Sequence, residues 1–242
     1  MEAIRIERLT KRYKEVLAVD ALSLYVHAGE LLSLLGINGA GKTTTIKMLS
    51  CLTAPTDGEA YLFGKSIKSE ASEVKSMIAV SPQETAVAPG LTARENLELM
   101  CGVHGFSKDK RNKKIDELAA LLGLDSVINR KAGKLSGGWQ RRLSIAMALI
   151  SEPKILFLDE PTLGLDVIAR SDLWDIIRSL KGKVTIILTT HYMEEAESLS
   201  DRVAIMRDGR LITCDTVDGI KSAAGEDSFE KAFVKIVKGV EK

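Results

Sequence analysis

The sequence predicts an α/β fold: a strand-rich body with an open sheet of buried strands and an inserted helical lobe. Two observations support this prediction. Short apolar runs at residues 31–35, 155–158 and 184–188 are typical of strands that are covered on both faces. From residue 84 to about residue 150, apolar residues instead recur at helical spacing. We therefore expect residues 84–150 to form a helical lobe within the strand-rich body.

The composition fits one large globular domain. Of the 242 residues, 45% are hydrophobic and 28% are charged, which is enough to bury a substantial core. The 34 basic and 33 acidic residues leave a net charge of +1, so no strong field for nucleic acid or anionic membrane is predicted. No run approaches the ~20 apolar residues that span a bilayer, and the N-terminus lacks a signal-peptide apolar region. Cys51, Cys101 and Cys214 have no metal-ligand spacing and are expected to be reduced thiols of a cytosolic protein.

The N-terminal strands lead into a glycine-rich loop. Residues 3–9 and 22–26 alternate in polarity, and the buried strand at residues 31–35 follows them. The loop then fits the phosphate-binding pattern G-x-x-x-x-G-K-[ST], and a helix is predicted over residues 45–49. The predicted nucleotide-binding residues of the loop are Gly36, Ile37, Asn38, Gly39, Ala40, Gly41, Lys42, Thr43 and Thr44.

The residue types of this loop suit phosphate. Glycines let successive backbone N–H groups approach phosphate oxygens, and the following helix adds unpaired donors and its positive dipole end. Lys42 can reach the outer phosphates as a point charge. The hydroxyl of Thr43 can ligate a magnesium ion held between those phosphates. The loop therefore predicts a bound nucleotide with Mg²⁺.

Two more residues of the N-terminal half are candidate ligands. Tyr13 is an aromatic residue among charged ones, typical of a surface tyrosine but also able to stack on a base. Gln83 follows a proline that stops the strand predicted at residues 78–80, so its amide can meet a metal or water. Between them, the sequence predicts a turn at residues 57–59 and a short strand at residues 60–63.

The helical lobe contains a second candidate site for an anion. Thr92 and Glu95 form a capping box at the start of one helix, and a lysine-rich run at residues 108–114 is interpreted as the solvated start of the next. Ser136 can cap a third helix, and Gly137 and Gly138 leave its amides open to a ligand. An ordinary capped helix is the alternative interpretation of this pattern.

Polar residues follow two of the predicted buried strands. In an open α/β sheet, ligands bind beyond the carboxyl ends of the strands. Asp159 and Glu160 end one strand, and their side chains should diverge, which leaves one for magnesium and the other for a water molecule. His191 follows the next strand and could be functional or structural.

The C-terminal part combines a hairpin with an amphipathic tail. Residues 203–213 are predicted to form a hairpin around Asp208 and Gly209. The tail from residue 228 is predicted to pack on this chain or on a partner, since too few residues are involved for membrane contact. Its predicted apolar face consists of Phe229, Phe233, Ile236, Val237 and Val240.

Taken in this order, the motifs resemble the ATP-binding subunit of an ABC transporter over nearly the whole chain. The resemblance identifies residues 36–44 with the Walker A loop, Gln83 with the Q-loop, residues 135–138 with the LSGG signature and residues 155–160 with the Walker B strand. By the same resemblance, residues 164–166 match the D-loop, His191 the switch histidine and Tyr13 the adenine-stacking aromatic. Residues 190–197, together with the tail, look most like the bacterial drug-export type.

The resemblance implies a fold, domain limits and roles. The fold is a P-loop NTPase ABC cassette with an N-terminal antiparallel β part, a RecA-like parallel sheet core and the inserted helical lobe. The cassette is expected to span residues 1–225, and residues 226–242 form the tail. The implied metal ligands are Thr43, Gln83 and Asp159. The implied catalytic residues are Glu160, His191, Gln83 and Lys42. Of these, Glu160 would polarise the attacking water, and His191 would contact the γ-phosphate.

The resemblance also implies partners. In the family two cassettes pair head to tail, so Ser136, Gly137 and Gly138 of one copy would face the terminal phosphate held by Lys42 of the other. A homodimer bound to ATP and an integral membrane permease subunit are therefore expected, without nucleic acid. The chain would lie peripherally on the cytoplasmic face of the membrane.

Three residues depart from the family pattern. Trp139 replaces the usual signature glutamine, Ile37 stands where proline is common, and Leu163 occupies the usual D-loop serine or threonine. Leu163 removes a hydroxyl contact, and Trp139 alters the packing expected at the dimer seam.

Three other functions compete with this interpretation. A GTPase would carry N-K-x-D after a strand, but the nearest match, at residues 112–116, is one residue too long. A soluble ABC-type ATPase acting on nucleic acid or ribosomes would usually carry a long coiled coil or two cassettes, and this chain has neither. A regulatory protein that binds ATP without hydrolysis would not need both Glu160 and His191.

Overall fold

The structure, a computed structural model, describes residues 1–239. In chain order, its strands are β1 (Glu2–Tyr13), β2 (Val16–His27), β3 (Leu31–Leu35), β4 (Asp57–Leu62), β5 (Lys65–Ser66), β6 (Ile78–Ser81), β7 (Ile155–Asp159), β8 (Thr185–Thr190), β9 (Arg202–Arg207) and β10 (Arg210–Asp215). Its α-helices are α1 (Lys42–Leu49), α2 (Ala71–Met77), α3 (Ala93–Val103), α4 (Lys108–Leu122), α5 (Gly137–Leu149), α6 (Val167–Leu180), α7 (Met193–Leu199), α8 (Val217–Ala224) and α9 (Phe229–Gly239).

The strands form two sheets. The first is antiparallel with the order β2-β1-β4-β5, and the second has the order β10-β9-β3-β8-β7-β6. Every pair in the second sheet is parallel except the hairpin of β9 and β10. Leu35 pairs with Thr190, and Asp159 pairs with Thr189, so the carboxyl ends of β3, β8 and β7 meet at one edge. The predicted combination of an antiparallel part and a parallel core is confirmed.

The central parallel strands β3, β7 and β8 are buried at every position because both faces of their sheet are covered. Leu156 and Leu158 pack with the buried residues of α3 to α6. The alternate residues, Ile155 and Phe157, pack with α1 and the antiparallel sheet. A strand covered in this way has no solvent-facing side, which removes the usual alternation of polarity.

The inserted lobe has the predicted helices. Helix α3 begins with a complete capping box between Thr92 and Glu95, and α4 ends at Gly123 in the left-handed conformation. One detail was predicted incorrectly: Ser136 occupies the N-cap position of α5, but its side chain makes no capping hydrogen bond.

Two local predictions were wrong. Helix α1 begins at Lys42 and not at residue 45, so the last residues of the loop form its first turn. Residues 57–59 are strand and not turn, and Gly58, with φ +76°, lies at a β-bulge between the pairs Glu7–Glu59 and Thr10–Asp57. A Cβ atom at Gly58 would lie 2.1 Å from the carbonyl oxygen of Arg8, so only glycine allows this pairing.

The C-terminal helix packs on the chain itself. Phe229 and Phe233 of α9 are buried in a cluster with Ile205 of β9 and Ile220 of α8. Val240, which was predicted to share their apolar face, lies outside the described residues. Within residues 1–239, each helix is too short or too polar to cross a membrane.

Candidate functional site

A cleft of about 750 Å³ opens at the carboxyl edge of the parallel sheet. It is lined by the glycine-rich loop, Gln83 after β6, Glu160 after β7 and His191 after β8, and residues 16–18, Leu163 and Asp208 complete the lining. The loop residues that line it are Asn38, Gly39, Ala40, Gly41, Lys42, Thr43 and Thr44. The sheet order brings these segments together, since β3, β8, β7 and β6 are neighbours.

Two glycines let the loop pass close to the backbone around it. A Cβ atom at Gly36 would lie 2.4 Å from the carbonyl oxygen of Met206. Gly41 has φ +98°, and a Cβ atom there would lie 2.5 Å from the carbonyl oxygen of Ala18. The loop therefore needs glycine at both positions, and its N–H groups stay accessible at the start of α1.

Lys42 is the main positive charge of the cleft. Its side chain is 5% exposed, and its Nζ donates to the carbonyl oxygens of Gly36 at 2.7 Å and Ile37 at 3.2 Å. The Nζ also lies 3.9 Å from Oε1 of Glu160. Burial lowers the pKa of Lys42, and the charges of Glu160 and Asp159 oppose this shift. An ammonium group held this way gains from an anionic ligand.

Asp159 and Glu160 diverge as predicted. The Oδ1 atom of Asp159 accepts hydrogen bonds from the hydroxyls of Thr43, at 3.1 Å, and Thr189. Glu160 points to the other side, where its Oε2 lies 3.3 Å from Nδ1 of His191. The backbone of Glu160 is left-handed, with φ +47°. Its N–H donates to the carbonyl oxygen (3.1 Å) and hydroxyl (3.0 Å) of Thr189, which stabilises this conformation.

Gln83 is exposed on the loop after β6, and a buried arginine holds its backbone. The guanidinium of Arg141, on α5, donates at 2.6 Å to the carbonyl oxygens of both Pro82 and Gln83. Burial lowers the pKa of Arg141, and the charges of Asp159 and Glu195 oppose this. Sequence reasoning missed Arg141. The signal was its position on the buried face of α5, four residues before Ile145.

The signature residues lie elsewhere. Ser136 and Gly138 line a second cleft, of about 260 Å³, together with Trp139 and Arg142. The Arg142 guanidinium lies 4.7 Å from the centroid of the Trp139 ring. Gly137 follows Ser136 as the first residue of α5. One chain therefore does not bring its signature residues to its own nucleotide loop.

Tyr13 is also absent from the lining of the first cleft. It is 43% exposed at the end of β1, and Nζ of Lys11 lies 5.0 Å from its ring centroid. Its pairing partner Val16 does line the cleft. Tyr13 therefore lies beside the cleft, and its stacking role remains a prediction.

Comparisons with known proteins agree with this arrangement. Residues 19–163 match the family model described as ABC transporter. The daunorubicin/doxorubicin resistance ATP-binding protein DrrA of Streptomyces peucetius is 42% identical over 226 residues, covering 93% of this chain and 68% of the relative. The Nod factor export ATP-binding protein I of Burkholderia pseudomallei (strain 1710b) is 44% identical over 211 residues, covering 86% of this chain and 69% of the relative.

Solved structures have the same fold. An ATP-binding subunit of an ABC transporter superposes with a TM-score of 0.85 at 27% identity, covering 97% of this chain and 99% of the other. The dimeric, post-hydrolysis ATP-binding cassette MJ0796 with ADP and Pi superposes with a TM-score of 0.79 at 28% identity, covering 88% and 98%. This chain belongs to the ABC transporter family, as an ATP-binding subunit most similar to the bacterial drug-export type.

Proposed function

We propose that two copies of this chain bind and hydrolyse ATP with Mg²⁺ at their shared interface, and thereby drive export through separate membrane subunits. One observation carries the proposal: the nucleotide loop and the signature residues line different clefts of one chain. A second copy, arranged head to tail, would place Ser136 to Gly138 opposite Lys42. Each ATP would then be enclosed by two chains.

The residues of the first cleft support hydrolysis. Lys42 and the loop N–H groups would hold the phosphates. Glu160 is the proposed base that orients water, and His191, which lies beside it, the contact to the γ-phosphate. Gln83 lines the same cleft from the side of the helical lobe.

The oxygen ligands suit Mg²⁺. The Thr43 hydroxyl and the Asp159 carboxylate lie 3.1 Å apart, and both are hard oxygen ligands. Among the described residues, no group of three or more acidic, histidine or cysteine side chains could hold a metal alone. Phosphate oxygens and water would complete the shell, together with Gln83, as Mg²⁺ prefers. The ion would neutralise charge that develops on the phosphates.

The dimer gives the site a switch. ATP that contacts both chains stabilises the dimer by mass action, and hydrolysis removes that contribution. The relative bound to ADP and Pi is itself dimeric, which supports the pairing.

The partner and the direction of transport are inferred from relatives. Those named for drug resistance and Nod factor export support export as the direction. Because these relatives are named as ATP-binding proteins, and a solved structure as the ATP-binding subunit of an ABC transporter, we infer a separate integral membrane permease subunit, with this chain on the cytoplasmic face.

Two measurements test this function. Purified protein should release phosphate from ATP with Mg²⁺ and lose that activity with a chelator, whereas no release under either condition would contradict hydrolysis. Affinity-tagged chain purified from solubilised membranes should retain an untagged integral membrane protein. Recovery of ribosomes or nucleic acid alone would favour a soluble ABC-type ATPase instead.

A further inference from the structure

Helix α7 carries a buried glutamate that forms no ion pair within 4.0 Å among residues 1–239. Glu195 is 0% exposed, and its Oε1 accepts from the hydroxyl of Thr162 at 2.8 Å and from the indole N–H of Trp174 at 3.1 Å. Its Oε2 has no hydrogen-bond partner among residues 1–239. A buried carboxyl group with hydrogen bonds to only one of its oxygens lowers the stability of the fold. A glutamate at this position therefore needs an explanation other than stability.

The contacts of Glu195 join the two segments that carry Glu160 and His191. Thr162 lies in the tight turn after β7, where the N–H of Leu163 donates to the carbonyl oxygen of Glu160 at 3.2 Å. Helix α7 begins two residues after His191. The carboxyl of Glu195 therefore spans from the segment after β8 to the turn after β7.

We propose that Glu195 is a positioning residue for ATP hydrolysis. By joining α7 to Thr162, it keeps the side chains of Glu160 and His191 in their relative positions. This inference rests on the function proposed above. The two catalytic side chains are 3.3 Å apart, and they directly follow different strands, β7 and β8. Without the hydrogen bond between Thr162 and Glu195, helix α7 could shift relative to the turn that follows β7. A displacement of about 1 Å can lower the rate by about 100-fold.

The acceptor atom, and not the negative charge, is the required feature. Burial raises the pKa of Glu195, which favours the neutral carboxyl, while Thr190, Thr162, Trp174 and the charge of Arg170 oppose the shift. A glutamine can present its carbonyl oxygen to the same two donors. Methionine has a similar length but offers no comparable acceptor.

The test compares three single variants and one double variant by kcat, KM and ATP affinity. Glu195→Met and Thr162→Val should each lower kcat by about 10- to 100-fold and leave the Kd for ATP within about threefold. Glu195→Gln should keep kcat within about threefold of wild type. The double variant Glu195→Met/Thr162→Val should be no slower than the slower single variant, because both remove one contact.

A control separates positioning from loss of stability. Leu199→Ala removes a buried side chain four residues further along α7 and should lower Tm without a comparable loss of kcat. If Glu195→Met does not fold, Thr162→Val carries the test alone. Wild-type kcat in folded Glu195→Met and Thr162→Val, or equal losses for Glu195→Gln and Glu195→Met, would overturn the inference. A wild-type protein without ATPase activity would instead overturn the proposed function.

Discussion

The Nδ1 atom of His191 lies 3.3 Å from Oε2 of Glu160, although the two residues end different strands and are 31 positions apart in the sequence. Oε1 of the same carboxylate lies 3.9 Å from Nζ of Lys42. Glu160 therefore stands between the cation proposed to hold the phosphates and the histidine proposed to contact the γ-phosphate. This placement suits a base that acts on water beside the last phosphate.

Glu160→Gln is expected to lower kcat by about 10²- to 10⁴-fold, the range for a lost general base, while ATP binding stays largely intact. Glu194→Gln is the matched control, because Glu194 is 82% exposed and lies three residues after His191 in the sequence. Phosphate release and ATP titration measure the two effects. Wild-type turnover in Glu160→Gln would remove Glu160 from the proposed role.

Lys42→Met is expected to weaken ATP binding by about 10- to 150-fold, since hydrogen bonds to charged groups contribute about 1.5–3 kcal/mol. Lys47→Met, on the exposed face of the same helix, should bind ATP like wild type. Equilibrium dialysis with ATP checks both variants. Equal affinity of the two variants would contradict the role of Lys42.

Arg141→Lys is expected to lower kcat by about 10-fold and to change ATP affinity less, because lysine cannot donate to both Pro82 and Gln83 as the guanidinium fork does. Arg178→Lys is the matched control, since Arg178 makes an exposed ion pair with Asp175. Steady-state kinetics of both variants provide the measurement. An unchanged kcat in Arg141→Lys would show that the Gln83 loop does not need this support.

The stability of the wild-type protein relative to Glu195→Gln should fall as pH rises. Burial raises the pKa of Glu195 in the folded state above its ordinary value of 4.5, so the folded state holds the proton more tightly than the unfolded state. Between the pKa of Glu195 in the unfolded state and its pKa in the folded state, the free energy of unfolding decreases as pH rises. Glutamine does not titrate, so Glu195→Gln does not show this decrease. Melting temperatures of both proteins, measured from pH 4 upward, test the trend. A Tm difference that does not change with pH would contradict it.

Gly137→Asp is expected to abolish hydrolysis while the isolated monomer still binds ATP. The variant places a carboxylate where Gly137 is proposed to face the phosphate bound by the other chain. Gly90→Asp is the matched control, since a Cβ atom at exposed Gly90 meets nothing within 4 Å. ATP titration of the monomer and phosphate release measure the two effects. Loss of ATP binding in monomeric Gly137→Asp would contradict the two-chain site.

Much of the site could be predicted from sequence because its residues follow strand ends. Because β3, β8 and β7 are neighbouring parallel strands, the residues that follow them, including Lys42, His191 and Glu160, lie at one edge of the sheet. Arg141 and Glu195 were not predicted as functional, because charged residues within helices are usually solvated and periodicity does not reveal their buried partners. The turn prediction at Gly58 was wrong because the β-bulge that accommodates this glycine depends on pairing with β1, which is distant in sequence.

The central claim is that each ATP site takes its nucleotide loop from one chain and its signature from another. Mixing Lys42→Met with Gly137→Asp tests it most directly, because each variant alone has no intact site. In an equimolar mixture about half of randomly paired dimers are mixed, and each mixed dimer has one intact site of two, so about a quarter of wild-type activity should return. A mixture as inactive as its components, or full activity of either variant alone, would contradict the account.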